Sequence, residues 1–433
     1  MEFPFEVIEH IIPGQHVREW PRATGTSQEA VLRLHIKQYR PKDNPNPQPG
    51  DVTVIGVHGN AFPKEVYEPI WCDLHAQSKA HSFRIRGIWV ADVAHEGYSY
   101  KLNEQLLGND PAWADHARDL LLIANHFRSE MPRPIVGIAH SFGGNILVQL
   151  ALLHPRLLSA LVLYDPVINV FTHMQTGAIF GVRLAVARRD SWPTREAAVE
   201  SFRRPRGMFS TWDPRALEAW IDHALRDAPE VDAAGDGKKK VVLATPRHQE
   251  VFTYFRPLYP YERADGTVDR EGAPDFDPAF NDPPEVRRNF PFYRSEGHLV
   301  VERLPNVRPS VLWVFGESSD ITLPPSSRSE IARTCGTGCN GSGGMAAGRV
   351  AEVHLEGRGH LFPMEIPGVC AEHAAKWIQR EVEYFHKTER EYADWTRLPL
   401  SEKMTLSPEH AAALGTLPSR KRPADDKDKG SKL

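Results

Sequence analysis

Long hydrophobic runs are missing from this chain of 433 residues: none approaches the roughly 18 apolar residues of a membrane-spanning helix. No transmembrane segment is expected. An excess of either charge is missing too, since 52 Lys and Arg face 56 Asp and Glu for a net charge of -4. Phosphate recognition wants a basic footprint, so nucleic acid is not an expected partner. Cysteine is scarce: Cys72, Cys335, Cys339 and Cys370 are too few and too scattered for a disulfide framework in a chain of this size. Cys335 and Cys339 offer half a metal site, but no second pair or neighbouring His cluster completes four ligands. No metal and no cofactor is expected. The segment MEFPFEVIEH lacks the basic and apolar regions of a secretory signal.

What is present is the balance of a soluble globular protein, 41% hydrophobic and 25% charged, long enough for one large domain with an insertion or for two domains. One stretch organises it. Pro134 to Ala139 (PIVGIA) is a short apolar run rich in β-branched residues and reads as a buried strand. From Ser141 the pattern turns helical, with Ile146, Leu150 and Leu153 on one face after Gly143 and Gly144. Ser141 thus sits in a strand-to-helix turn flanked by the small residues Ala139 and Gly143. Such a corner brings backbone against backbone, strains the serine and exposes its hydroxyl. The helix N-terminus aims N–H groups at charge developing near that oxygen. A glycine turn that merely connects two elements, or cradles a phosphate, has the same five-residue pattern, so the rest of the chain must decide.

Residues 5 to 13 and 31 to 40 alternate apolar and polar side chains, as in an antiparallel hairpin with one wet face. VTVIGVHGN is then a continuous apolar strand running into the turn His58-Gly59-Asn60, at the carboxyl end where open α/β sheets build their sites. A helix is expected from Lys64 to Gln77, a strand ending at Asp92, and a helix whose stripe is Trp113, Ala117, Leu120, Leu121, Ala124 and Phe127. The organising strand and helix follow, then a strand from Leu158 to Tyr164 ending in Asp165-Pro166. This rhythm predicts an α/β fold, a mostly parallel central sheet flanked by helices. It breaks at Val167. Residues 167–305 carry helices, such as Pro214 to Arg226, but no comparable core strand, and read as a large inserted cap between a first part of the core, 1–166, and a second, 306–398. The core resumes with SVLWVFG and VAEVHLEG and closes with a helix from Val369 to Trp395. Residues 399–433 read as a flexible tail. It ends in Ser431-Lys432-Leu433, the peroxisomal address, so an import receptor is an expected partner.

A serine nucleophile needs a base, an acid to orient the base, and donors for the oxyanion. Of twenty histidines, His360 follows the last sheet strand in GRGHLFPMEIP and is the candidate base. His140 adjoins Ser141, where neighbouring side chains point apart, and His58 braces its own turn. Two acids compete: Asp165 ends the strand after the elbow helix, and Asp320 lies just past the next core strand. Both satisfy the order Ser, Asp, His. The natural oxyanion donors are the N–H groups of Phe142 and Asn60. Seven arginines between Arg183 and Arg206 (183, 188, 189, 195, 203, 204 and 206) outnumber three acids there and could meet phosphates, or simply form a solvated face.

The HGN turn, Asp92 with Gly97 and Ser99, AHSFGG, the Asp165-Pro166 pair and GRGHLFPME together resemble the α/β-hydrolase superfamily from about residue 30 to 395. More narrowly, HVREWPRA, HGNAFPKEVYEP, WADHARDLLLIANHF and HPRLLSALVLYDP resemble fungal peroxisomal hydrolases of secondary metabolism, among them mycophenolic acid acyl-CoA hydrolases and host-selective toxin biosynthesis proteins. The resemblance implies the α/β-hydrolase fold and cleavage of a small-molecule acyl-CoA thioester by a Ser-His-Asp triad in the peroxisome. It favours Asp165 as the acid. The same triad serves an oxygen ester, as in a carboxylesterase or lipase, and a ligand-binding protein that has kept the fold without turnover is the alternative of another class.

Overall fold

The computed structural model describes residues 2–170, 176–204, 207–228, 240–277, 284–321 and 325–415. It divides into two compact units, Met1–Glu383 and Tyr384–Leu433. The first is built on an eight-stranded sheet of β1 (Phe5–Pro13), β2 (Arg33–Pro41), β3 (Val52–Val57), β4 (Ile85–Ala91), β5 (Ile135–His140), β6 (Ala160–Tyr164), β7 (Ser310–Gly316) and β8 (Val350–Leu355). Their order across the sheet is β1-β2-β4-β3-β5-β6-β7-β8. β1 pairs antiparallel with β2, and β2 with β4; every other pairing is parallel. The register Phe5↔Pro41 to Pro13↔Arg33 is the expected hairpin, but its solvent exposure lies on β1; β2, paired on its other side with β4, is buried along most of its length rather than on one face. β3, β5, β6 and β7 are buried at every position, which is why they read as unbroken apolar runs.

Helices cover both faces. α1 (Glu68–Ala80) packs against one face through Ile70, Trp71 and Leu74. α2 (Trp113–His126) and α3 (Phe142–Leu153) pack together on the other. The helix expected from Lys64 begins instead as the 3-10 turn Lys64–Tyr67, and α1 proper starts at Glu68. Pro69 in its first turn explains this, because proline is preorganised for a helix start and lacks the N–H that would continue a helix through it.

Between β6 and β7 the chain leaves the sheet. This excursion holds α4 (Thr176–Ala187), α5 (Pro214–His223), α6 (Arg247–Tyr254) and α7 (Ser295–Arg303), with strands of only two or three residues. α6 ends without a glycine cap. The carbonyls of its last turn are taken by side chains from elsewhere: Asn60 Nδ2 donates to Glu250 O (3.1 Å), Trp113 Nε1 to Thr253 O (2.8 Å), and Arg294 to Phe252 O (2.7 Å) and Tyr254 O (3.3 Å). α8 (Pro325–Thr334) follows β7, and α9 (Pro367–Thr396) buries Cys370, Ala371, Ala374, Ala375, Trp377 and Ile378.

In the second unit, where a tail is expected from 399 onward, Leu400–Met404 and Pro408–Leu414 are helical. The second starts on a Ser407 side chain that accepts the N–H of His410, with Pro408 in its first turn. Ser431, Lys432 and Leu433 lie outside the described residues. Among the described residues no helix is long and apolar enough to cross a membrane.

Candidate active site

At the corner between β5 and α3, Ser141 adopts φ 59° and ψ −129°. The strain is held by close packing. A Cβ on Gly143 would lie 2.7 Å from His58 O and 2.8 Å from Val57 O, and one on Gly144 would lie 2.5 Å from the Pro166 ring. Any larger residue would push α3 away from β3 and β6.

The loop after β8 brings His360 over this corner. His360 Nε2 lies 2.9 Å from Ser141 Oγ, and Nδ1 lies 2.6 Å from Asp165 Oδ2. Asp165 is fully buried. Its second oxygen accepts the Gly316 N–H (3.2 Å) and Arg328 Nη1 (3.0 Å), and Ser319 Oγ donates to the first (2.5 Å). Burial pushes the carboxyl up, but the bond and charge of His360, then Ser319 and Arg328, outweigh it and hold Asp165 below the usual carboxylate range. The structure thus brings Ser141, His360 and Asp165 together. Asp320 has no bond to His360; it sits exposed on the cavity rim.

His140 points away from Ser141, as adjacent side chains at such a corner should. Its Nε2 lies 2.9 Å from the His360 carbonyl and its Nδ1 2.8 Å from Tyr67 Oη, which in turn accepts the Gly59 N–H at 2.8 Å. Burial, then the neighbouring His360, pushes His140 down to about 3, so it is neutral, with Nε2–H donating to the carbonyl and Nδ1 accepting from the tyrosine. A neutral relay therefore ties the backbone of His360 to the turn His58-Gly59-Asn60. His58 braces that turn as expected: Nδ1 meets Gly59 O at 2.9 Å and Nε2 accepts the Val93 N–H at 3.1 Å.

Ser141, His360, Asn60 and Phe142 open on one cavity of about 440 Å³. Its walls are largely apolar, with Phe62, Trp113, Leu184, Trp220 and Phe255 contributing, while Arg188 and Glu250 form an ion pair there. Phe142 is the first residue of α3, so its N–H has no intrahelical acceptor. Asn60 N–H has no partner among the described residues.

Three of the arginines between 183 and 206 have identified surroundings. Arg188 faces the cavity, Arg195 donates to the carbonyls of Ile221 and Leu225, and Arg203 pairs with Glu218. Arg206 lies outside the described residues.

A model of the alpha/beta hydrolase family matches residues 54–373. The chain belongs to the alpha/beta hydrolase family. The hydrolase is similar to the type I acyl-CoA thioesterase mpaH of Penicillium roqueforti, 40% identical over 407 residues that cover 90% of this chain and 91% of the relative. It is 30% identical over 251 residues to the abhydrolase domain-containing protein AFT2-1 of Alternaria alternata, covering 58% of this chain and 85% of that one. Among solved structures it resembles the peroxisomal alpha-beta-hydrolase Lpx1 of Saccharomyces cerevisiae, with a TM-score of 0.64 over 95% of both chains at 18% identity, a likeness of fold.

Sequence reasoning missed Arg328, Ser319 and Tyr67 in this hydrolase, and gave His140 no task. Arg328 and Tyr67 stand in ordinary helical surroundings, and nothing local marks a partner 163 positions away for Arg328 or 73 away for Tyr67.

Proposed function

We propose that this hydrolase is a thioesterase that cleaves an acyl-CoA by a Ser141-His360-Asp165 triad. The observation that carries the reading is the 2.9 Å approach of His360 Nε2 to a strained Ser141 Oγ at the base of an apolar cavity. The name borne by mpaH, similar along nine-tenths of the chain, supports the thioester as the bond broken.

Ser141 Oγ adds to the thioester carbonyl while His360 Nε2 takes its proton. The Asn60 and Phe142 N–H groups hold the oxyanion. The C–S bond breaks with its electron pair going to sulfur, and the proton held on His360 Nε2 passes to the departing thiolate, leaving an acyl-serine, the CoA thiol and a neutral imidazole. Water then gives a proton to His360 and its oxygen to the acyl carbon; collapse releases the free acid and restores Ser141. Asp165 keeps Nδ1 protonated, so that Nε2 is the acceptor at each step. Residues 167–305 act as the inserted cap, with α4 and α6 walling the acyl group.

Release of free thiol from a panel of acyl-CoAs should exceed release of p-nitrophenol from matched esters by at least about tenfold in kcat/KM, the scale of a specific contact difference. Faster ester turnover would replace the thioester reading with a carboxylesterase. The final tripeptide Ser431-Lys432-Leu433 supports a peroxisomal setting. Removing those three residues should leave a tagged protein in the cytosol, and continued import would refute that address.

A further inference from the structure

We infer that Glu96, buried beneath the turn that carries Asn60, is a positioning residue for the oxyanion hole. The inference rests on the hydrolytic reading above and names a group that reading does not use. Three successive amides make the turn. The Gly59 N–H goes to Tyr67 Oη at 2.8 Å and the Ala61 N–H to Glu96 Oε2 at 2.6 Å. Only the middle one, on Asn60, is left for a ligand in the cavity, because its neighbours are drawn to buried side chains. On Asn60's own side chain, Nδ2 donates to the Glu250 carbonyl of α6.

This turn does not hold its shape unaided. Ala61 has φ +64°, a left-handed conformation that a residue with a Cβ rarely adopts without an outside bond. Glu96 supplies that bond from below, itself only 1% exposed. Its Oε1 faces Thr253 Oγ1 of α6 at 3.5 Å, so one carboxyl joins the core turn to the excursion. Thr253 donates to Gln249 O (2.9 Å) and so has lone pairs for Glu96 and for His95 Nε2, 2.8 Å away.

A charged carboxylate beneath a developing oxyanion would oppose it. Burial pushes this carboxyl up, the Ala61 N–H draws it back and Asp92 raises it further, leaving it at about 8. At neutral pH the carbonyl oxygen accepts from Ala61 and the acid O–H is available to Thr253. A glutamine offers the same acceptor and a donor in the same place, whereas leucine offers neither.

The test compares Glu96→Leu and Glu96→Gln in the full chain, after a fluorophosphonate titration of Ser141 has fixed the concentration of active sites. E96L should lose about a hundredfold in kcat, the cost of misplacing one oxyanion donor, with KM within about threefold. E96Q should recover most of that loss. Binding of an oxyanion-forming trifluoromethyl ketone should weaken in E96L by the factor lost from kcat/KM, while binding of a non-hydrolysable CoA thioether should not change. Should E96L not fold, Glu96→Asp replaces it. That side chain is one methylene short of Ala61, so E96D should fall well below E96Q. Wild-type kcat in E96L, or equal losses in E96Q and the comparison variant, would overturn the inference. The outcomes also separate it from its premise. A wild type that cleaves only oxygen esters removes the thioester reading and leaves this test intact on the ester. A wild type inert to acyl-CoA, ester and fluorophosphonate alike removes both.

Discussion

Asp165→Asn should lower kcat by about a thousand- to ten-thousand-fold, as expected when a triad acid can no longer select the tautomer of its histidine. The contacts dictate how the amide would sit. Arg328 Nη1 and the Gly316 N–H are donors to one oxygen of Asp165, so the amide oxygen must turn to them. The amide nitrogen then faces His360 Nδ1 and donates to it. Nδ1 becomes the acceptor, the ring proton moves to Nε2, and Nε2 can no longer take a proton from Ser141. Asp320→Asn should leave kcat within about threefold, because an exposed carboxylate without a bond to His360 has no hold on that tautomer. Steady-state kinetics of the two variants decide between the acids that chain order alone left level. A nearly active Asp165→Asn beside an inactive Asp320→Asn would reverse the assignment.

Ser141→Ala should bring turnover down by on the order of 10⁶-fold, the scale seen when an attacking hydroxyl is removed from a serine triad. Labelling by a fluorophosphonate should vanish with it. Thermal stability should barely move, since alanine at φ 59° inherits the strain of serine and the close contacts of Gly143 and Gly144 are untouched. Labelling that persists in the variant would show that another nucleophile is being read.

Much of this was legible in the sequence, and the reason is locality. Buried strands announce themselves as apolar runs, so β3, β5, β6 and β7 fall where VTVIGV, PIVGIA, LVLY and SVLWVFG place them. The small residues around Ser141 mark the corner for the same reason: backbone approach leaves room for nothing else. His360 and the two competing acids, Asp165 and Asp320, stand out by their places at or just past the carboxyl ends of strands. What stayed hidden depends on partners far along the chain. Asp165 and Asp320 could not be ranked because the Arg328 guanidinium that secures Asp165 is given by a helix with no visible link to either. α6 has no glycine of its own at its end, and the donors to its terminal carbonyls, Trp113 and Arg294, come from far along the chain. The arginines between 183 and 206 are open on sequence to a phosphate or to solvent; in the structure Arg188, Arg195 and Arg203 each meet a different partner within the chain.

The anchoring of α6 bears on how this hydrolase would be retailored for other acyl groups. A helix whose last three carbonyls, Phe252 to Tyr254, are taken by indole and guanidinium donors behaves as masonry: reshaping it would disturb Asn60, whose amide holds the Glu250 carbonyl. α4 is the adjustable wall. Leu184 lines the cavity from that helix and is 55% exposed, so chain length and branching can be selected there by trimming or enlarging one side chain, with the chemistry beneath left undisturbed.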